Sequence, residues 1–470
     1  MLKPGKQNIA GTGRKRILLP MITVLLVLCY IGVFAWYFIY GFGNEGAADG
    51  HTGELSGEGA GQHTRENTRK GAGDSFGAYA GDNSGDNSGG AGSAQNASMR
   101  TDGGGYSDVQ DTAAQEPPTG YTGTDAPAVK VKGLYVAAWY AGMDDRMARY
   151  IELCDASEIN TLVIDVKDEY GQITFLTDTE GISESSARII PDIKEIVATL
   201  KSHGIYTIAR VVCFKDPARS SKYSELAIRD INGEPWKDSK GETWLDPYKV
   251  GTWEYIAAVS LEAAAVGFDE VQLDYVRFPS EGKLWEIDYG PAGTAKSKAG
   301  IISEFTAYIR AALAKENVRL SADVFGIIAI SDIDAESIGQ DPEMLLHCAD
   351  YLSPMIYPSH FANKKQNGTG QIINSVLFEA PDLEPYGVVY NILLEFKRHM
   401  DDDSGQAGIR PYLQDFTASY LGEGYYMAYS DGEVMEQIDA VYDAGFDEWI
   451  LWNHYCEYSE DAFKRPGKQP

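Results

Sequence analysis

Residues 128–470 predict a (β/α)8 TIM barrel, and three observations carry the prediction. Short β-rich apolar runs alternate with amphipathic stretches, the pattern of βα units on a parallel sheet. Eight such runs and seven intervening helical patterns fit in about 340 residues, enough for a closed barrel with long loops. A doubly wound open sheet is the alternative, but no GxGxxG or GxxxxGK follows a strand.

Strands are expected at 132–139 (KGLYVAAW), 161–167 (TLVIDVK), 206–214 (YTIARVVCF) and 270–276 (EVQLDYV). Four more follow at 319–325 (RLSADVF), 351–357 (YLSPMIY), 409–414 (IRPYLQ) and 448–452 (EWILW). The helices between them are expected at 145–156, 191–203, 252–266, 303–315, 342–348, 385–400 and 433–444. Ile193, Ile196, Val197 and Leu200 recur at helical spacing, as do Val434, Ile438 and Val441. Cys154, Cys213, Cys348 and Cys456 fall in separate elements and read as small buried apolar residues, not as a disulfide framework.

Ahead of the barrel the composition changes twice. The 470-residue chain has 69 Asp+Glu against 40 Lys+Arg, a net charge of −29, which argues against nucleic acid as a partner. Residues 1–40 carry +5, residues 41–127 carry −9, and −25 is left for 128–470. Residues 17–40 contain no charged side chain, long enough for a transmembrane anchor. Arg14, Lys15 and Arg16 mark 1–16 as a cytoplasmic basic segment, which sends the C-terminal side outward. Trp36, Tyr37 and Tyr40 stand where an outer aromatic belt belongs. A cleaved signal peptide is the competing reading, yet its apolar region is usually shorter and ends at a small-x-small site. The expected location is therefore the cell membrane, single-pass, with the barrel extracytoplasmic.

Residues 41–127 hold 21 of the 50 Gly but only four Leu, Ile, Val or Phe: Phe42, Leu55, Phe76 and Val109. So little apolar surface cannot offset chain entropy, so a disordered linker is expected. As a flexible coil its reach is roughly 50 Å.

In such a barrel chemistry sits at the C-terminal ends of the strands. Those ends read Asp165-Val-Lys167-Asp168-Glu169, Asp274-Tyr275-Val-Arg277, Asp323-Val-Phe-Gly326, Tyr357-Pro-Ser-His360, Gln414-Asp415 and Trp452-Asn453-His454. Alternation in Val271-Gln-Leu273-Asp-Tyr275 puts Gln272 and Asp274 on one face. A carboxylate against the outer helices has no partner, so Asp274 and Asp323 are expected to point inward from adjacent strands. Two carboxylates in one cleft suit glycosidic cleavage, one as acid and one as nucleophile or base. Structural ion pairs, Asp165 with Lys167 or Asp274 with Arg277, are the bland alternative. Trp139, Tyr140, Tyr275, Tyr357 and Trp452 are of a kind that stacks on sugar rings. Asp165, Asp168 and Glu169 could hold a hard cation, but Lys167 between them opposes it, and no metal or cofactor is expected. No GxSxG elbow is present. His360 and His454 could shuttle protons.

GLYVAAW, VIDVKDEYG, GFDEVQLDYVRFP, SADVFG, YLSPMIYPSHF, RPYLQDF and ILWN, in that order over about 131–460, resemble the glycosyl hydrolase family DUF4015. The resemblance implies a TIM barrel related to α-amylase-like and other glycosidase barrels, with carbohydrate as substrate. By that analogy Asp274 would be the nucleophile and Asp323 the proton donor, with Glu169 and Asp415 in reserve. Gln272 stands where those enzymes carry an Arg, although Arg277 lies three residues after Asp274. The expected substrate contacts are Trp139, Asp165, Lys167, Glu169, Arg277, Tyr357, His360, Asp415, Trp452 and Asn453. The reading is a membrane-anchored glycoside hydrolase acting on a cell-envelope or extracellular polysaccharide. Its rivals are a catalytically silent sugar-binding barrel and a metal-dependent deacetylase-like hydrolase.

Overall fold

The computed structural model describes residues 129–400 and 406–464. The segments 1–16, 17–40 and 41–127, read above as basic segment, anchor and linker, lie outside the described residues. No helix among the described residues is long and apolar enough to cross a membrane.

Eight parallel strands close a barrel: β1 (Lys132–Val136), β2 (Thr161–Lys167), β3 (Tyr206–Val212), β4 (Glu270–Asp274), β5 (Arg319–Phe325), β6 (Tyr351–Ile356), β7 (Tyr412–Gln414) and β8 (Trp449–Trp452). Each pairs with the next, and Gly133 of β1 pairs with Ile450 of β8 to close the ring. The crossovers run through α1 (Asp144–Ala156), α2 (Ile193–Ser202), α3 (Val250–Val266), α4 (Lys298–Ala314), α5 (Pro342–Leu346), α6 (Pro385–His399) and α7 (Asp431–Asp443).

Local chemistry sets the element ends. α4 starts five residues before its apolar pattern, because Ser297 caps it by accepting the Gly300 N–H at 3.1 Å. Ser430 and Glu433 form a capping box on α7, and Pro342 and Pro385 open α5 and α6. Several expected strand bounds are corrected, among them β3, which stops at Val212 and not at 214. β1 stops at Val136 and the chain turns into a short helix, Ala138–Ala141, which takes Trp139 off the sheet. β4 stops at Asp274 because Tyr275 adopts φ +48°, outside the extended region. The seventh run is broken at Arg410-Pro411, since Pro411 has no N–H for the ladder, leaving Gly408–Ile409 paired to β6 ahead of β7.

The lumen is unusually polar and is filled in layers by alternate residues of each strand. At the N-terminal end Arg410 donates to Glu270 at 2.7 Å and to Glu448 at 2.9 Å, all three buried. Removing one member of such a buried cluster costs about 3–5 kcal/mol, because the others are left uncompensated. Above it Gln272 donates to Ser353 at 3.1 Å and accepts from the Tyr412 hydroxyl at 2.6 Å. Above that lie the carboxylates. Glu270, Gln272 and Asp274 thus share one face of β4, as alternation predicts, while Val271 and Leu273 are fully buried on the other.

Candidate active site

Asp274 and Asp323 project from adjacent strands at one level, since the β4–β5 register sets Leu273 beside Ala322 just before them. What surrounds the two carboxylates differs sharply. Arg210, inward on β3, donates from Nε at 3.1 Å and from Nη2 at 2.5 Å to Asp274 Oδ2. The Tyr275 N–H occupies Asp274 Oδ1 at 2.5 Å. Arg210 also donates from Nη1 to Asp165 Oδ1 at 2.6 Å, and the Tyr135 hydroxyl donates to Asp165 Oδ2 at 2.6 Å. One guanidinium therefore neutralises and aligns two carboxylates from strands on either side of it, in the fork geometry Arg supplies and Lys does not.

Asp323 has no such company. It is 2% exposed, and its Oδ1 is sealed with no hydrogen-bond partner among the described residues. Burial first, and then the charge on Asp274, push its carboxyl well above the usual carboxylate range, with Arg210 opposing. Burial also raises Asp165, against the pull of Arg210 and Tyr135. Burial works against the Arg210 charge, but Asp165 and Asp274 outweigh it and raise its pKa further. The arrangement is an Arg-held carboxylate beside a carboxyl that favours its proton. Such a pair, one carboxyl raised by burial and the other held by a guanidinium, can run acid and nucleophile or base roles. The site is narrow but not sealed: the side chains of Asp274 and Arg210 keep 11% and 12% of their surface exposed.

An aromatic wall adjoins the acids. The Trp452 ring lies 5.8 Å from Tyr357, 6.2 Å from Tyr135 and 5.3 Å from Phe416, and it is half-buried. Tyr357 is buried, and the exposed His360 meets its ring edge-on at 4.9 Å. Glu169 is half-buried after β2, close enough to bear on the charge of Asp165 and Arg210.

Other expected contacts are spoken for elsewhere. Lys167 is fully buried below the rim, where it donates to the Val212 carbonyl at 2.8 Å and pairs with Asp216 at 2.8 Å. A β-bulge between Asp165 and Lys167 accompanies this change of direction, and the Asp165–Lys167 pair of the alternative reading does not form among the described residues. Nor does Asp274 pair with Arg277, because Arg210 takes it. Asp415 accepts from the Ser459 N–H and hydroxyl at 2.9 and 2.8 Å, holding the segment after β8. Burial pushes its carboxyl up to about 6. Asn453 shapes a turn, accepting from the Tyr455 N–H and donating to the Asp415 carbonyl. Trp139 is 66% exposed on the short helix after β1. Asp168 is engaged in its own turn, accepting the N–H groups of Tyr170 and Gln172. Among the described residues no group of three His, Cys, Asp or Glu is placed to hold a metal ion.

Arg210 and Tyr135 were not singled out from the sequence. The available signal was an Arg inside the apolar run YTIARVV, on a strand between two that carry acids. Two surface hollows, one of about 310 Å³ beside Gly171 and Arg219 and one of about 450 Å³ beside Ser459 and Lys464, are lined by neither Asp274 nor Asp323.

A hypothetical protein from Ruminiclostridium thermocellum ATCC 27405 is 38% identical over 41% of this chain and 97% of its own, with a TM-score of 0.38. The PgaB (BpsB) glycoside hydrolase domain from Bordetella bronchiseptica is 12% identical over 71% of this chain and 98% of its own, with a TM-score of 0.51, a likeness of fold. No curated protein matches the chain. Residues 133–458 match DUF4015, described as "Putative glycosyl hydrolase domain". That match spans well over half of the sequence, and the protein belongs to the DUF4015 family.

Proposed function

We propose that the barrel is a glycoside hydrolase in which Asp323 protonates the leaving glycosidic oxygen and Asp274 acts from the other side as nucleophile or base. The observation that carries this reading is the contrast between the two acids: Asp274 bound by three N–H groups, Asp323 by none among the described residues. A carboxyl without donors beside a charged one keeps its proton and can give it up as the glycosidic oxygen gains charge. The family description and the fold shared with a glycoside hydrolase domain support the same reaction class. Trp452 and Tyr357 supply ring faces of the kind sugars stack on. The apolar 17–40 segment and the Gly-rich 41–127 stretch support a membrane-tethered, extracytoplasmic enzyme working on a cell-envelope or extracellular polysaccharide.

The test is hydrolysis of envelope and extracellular polysaccharides by the full chain, with Asp274→Asn and Asp323→Asn beside it. Loss of turnover in both variants, with binding of the same glycan retained, is the expected result. Binding without turnover in the unsubstituted protein would instead mean a sugar-binding barrel. Turnover undiminished in both variants would mean that the acids are misassigned.

A further inference from the structure

Three largely buried arginines of this barrel are paired with acids: Arg210 with Asp165 and Asp274, Arg410 with Glu270 and Glu448, Arg310 with Asp350. Arg277, three residues beyond Asp274, is different. It is 9% exposed, yet among the described residues no carboxylate lies within 4.0 Å of it. Its guanidinium carbon sits 4.7 Å from the Phe325 ring centroid, 4.9 Å from Tyr275 and 5.3 Å from Trp244. Its Nη1 donates to the Phe278 carbonyl at 3.0 Å and the Ser280 hydroxyl at 3.3 Å. Among the described residues Nε and Nη2 meet no acceptor, and they are not sealed from solvent. Ring faces compensate a buried cation only in part. The planar N–H edge left free has the shape that binds a carboxylate through two parallel hydrogen bonds.

A second cation stands on the same ring. Lys215 Nζ lies 5.3 Å from the Tyr275 centroid, and its nearest acid, Glu242, is 3.4 Å away without a hydrogen bond. Tyr275 follows Asp274 directly, its φ of +48° turns the chain out of β4, and Arg277 lies close enough to feel the charges of both Tyr275 and Asp274. Residues 128–470 carry −25 overall, so a general attraction for polyanions cannot account for a preference here.

We propose that Arg277 and Lys215 form a subsite for a carboxylate carried by the glycan, so that the substrate is an acidic polysaccharide. The inference rests on the glycoside hydrolase reading for what the neighbouring acids do, but not for how the cations bind. The carboxylate takes the free N–H edge of Arg277, and the Lys215 ammonium completes its charge balance.

The experiment uses the full chain and three glycan pairs. Oligogalacturonate, a glucuronate-containing oligosaccharide and peptidoglycan glycan strands are each set beside their carboxyl-reduced counterparts, and binding and hydrolysis are measured. At least one acidic member is expected to bind about 10–100-fold more tightly than its reduced counterpart, the scale of hydrogen bonds to a charged group. Arg277→Gln and Lys215→Met should each bring the acidic member towards its counterpart, and Arg277→Lys should fall between, with melting temperatures reporting that each variant is folded. Should Arg277→Gln not fold, Lys215→Met and Arg277→Lys carry the test. No pair separating, or a separation that survives these substitutions, would overturn the subsite. Separation in binding with no hydrolysis of any member keeps the subsite and overturns the hydrolase reading. Equal hydrolysis of acidic and reduced members does the reverse.

Discussion

Arg210 places two of its N–H groups on a single oxygen of Asp274, while Asp323, one strand further round the barrel, accepts no hydrogen bond on its sealed oxygen. One carboxylate is thereby fixed in position, and its neighbour is left to burial. Because Arg210 bonds Asp165 with its remaining arm, three strands are tied together at the level where chemistry would occur.

Arg210→Lys keeps a positive charge but cannot serve both acids through a planar fork. Turnover on a hydrolysed glycan should fall by roughly 10²–10³-fold, with a lowered melting temperature. Kinetics and thermal unfolding on one preparation check this. Unchanged turnover would mean that the clamp is structural only.

Asp323→Asn removes the proton donor while keeping shape. Turnover should drop by roughly 10²–10⁴-fold on a natural linkage. The loss should be far smaller on an aryl glycoside whose leaving group needs no proton. An equal loss on both substrates would assign Asp323 to positioning.

The acid Asp415 makes a prediction about stability. Its carboxyl is pushed up to about 6 from the ordinary 3.8 by burial. A raised acid favours folding when protonated, so its contribution is present below about pH 4 and is lost as pH rises towards 6. The size is at most about 3 kcal/mol. Asp415→Asn should flatten that part of the melting-temperature profile. A profile of the same slope in the variant would show that other groups set it.

If 41–127 is a tether, its length matters only where the substrate is a layer to be reached. Deleting 45–120 from the full chain should reduce action on intact wall material and leave soluble glycan turnover as it was. Equal loss on both would remove the reach argument.

The barrel was legible because strand and helix periods alternate cleanly. The inward direction of Asp274 followed from the apolar Val271 and Leu273 on its flanks, which needed the helices. The pairings were not legible, since they depend on which residues from distant strands share a layer. Arg210 stands between two acid-bearing strands already in the predicted order, but its pairing with Asp165 and Asp274 depends on the β2–β3 and β3–β4 registers, which set the shared layer. Lys167 was misleading because a β-bulge, which sequence spacing does not reveal, accompanies its turn towards Asp216. Trp139 moved away from the sheet when β1 gave way to a helical turn three residues early.

The protonation state of Asp323 at neutral pH can be read without any substrate. An infrared difference spectrum of the full chain against Asp323→Asn should show a protonated-carboxyl C=O band that is lost in the variant and persists in Asp274→Asn, because burial is its larger cause. The absence of that band, with a carboxylate signal in its place, would mean that Asp323 is ionised and cannot be the acid.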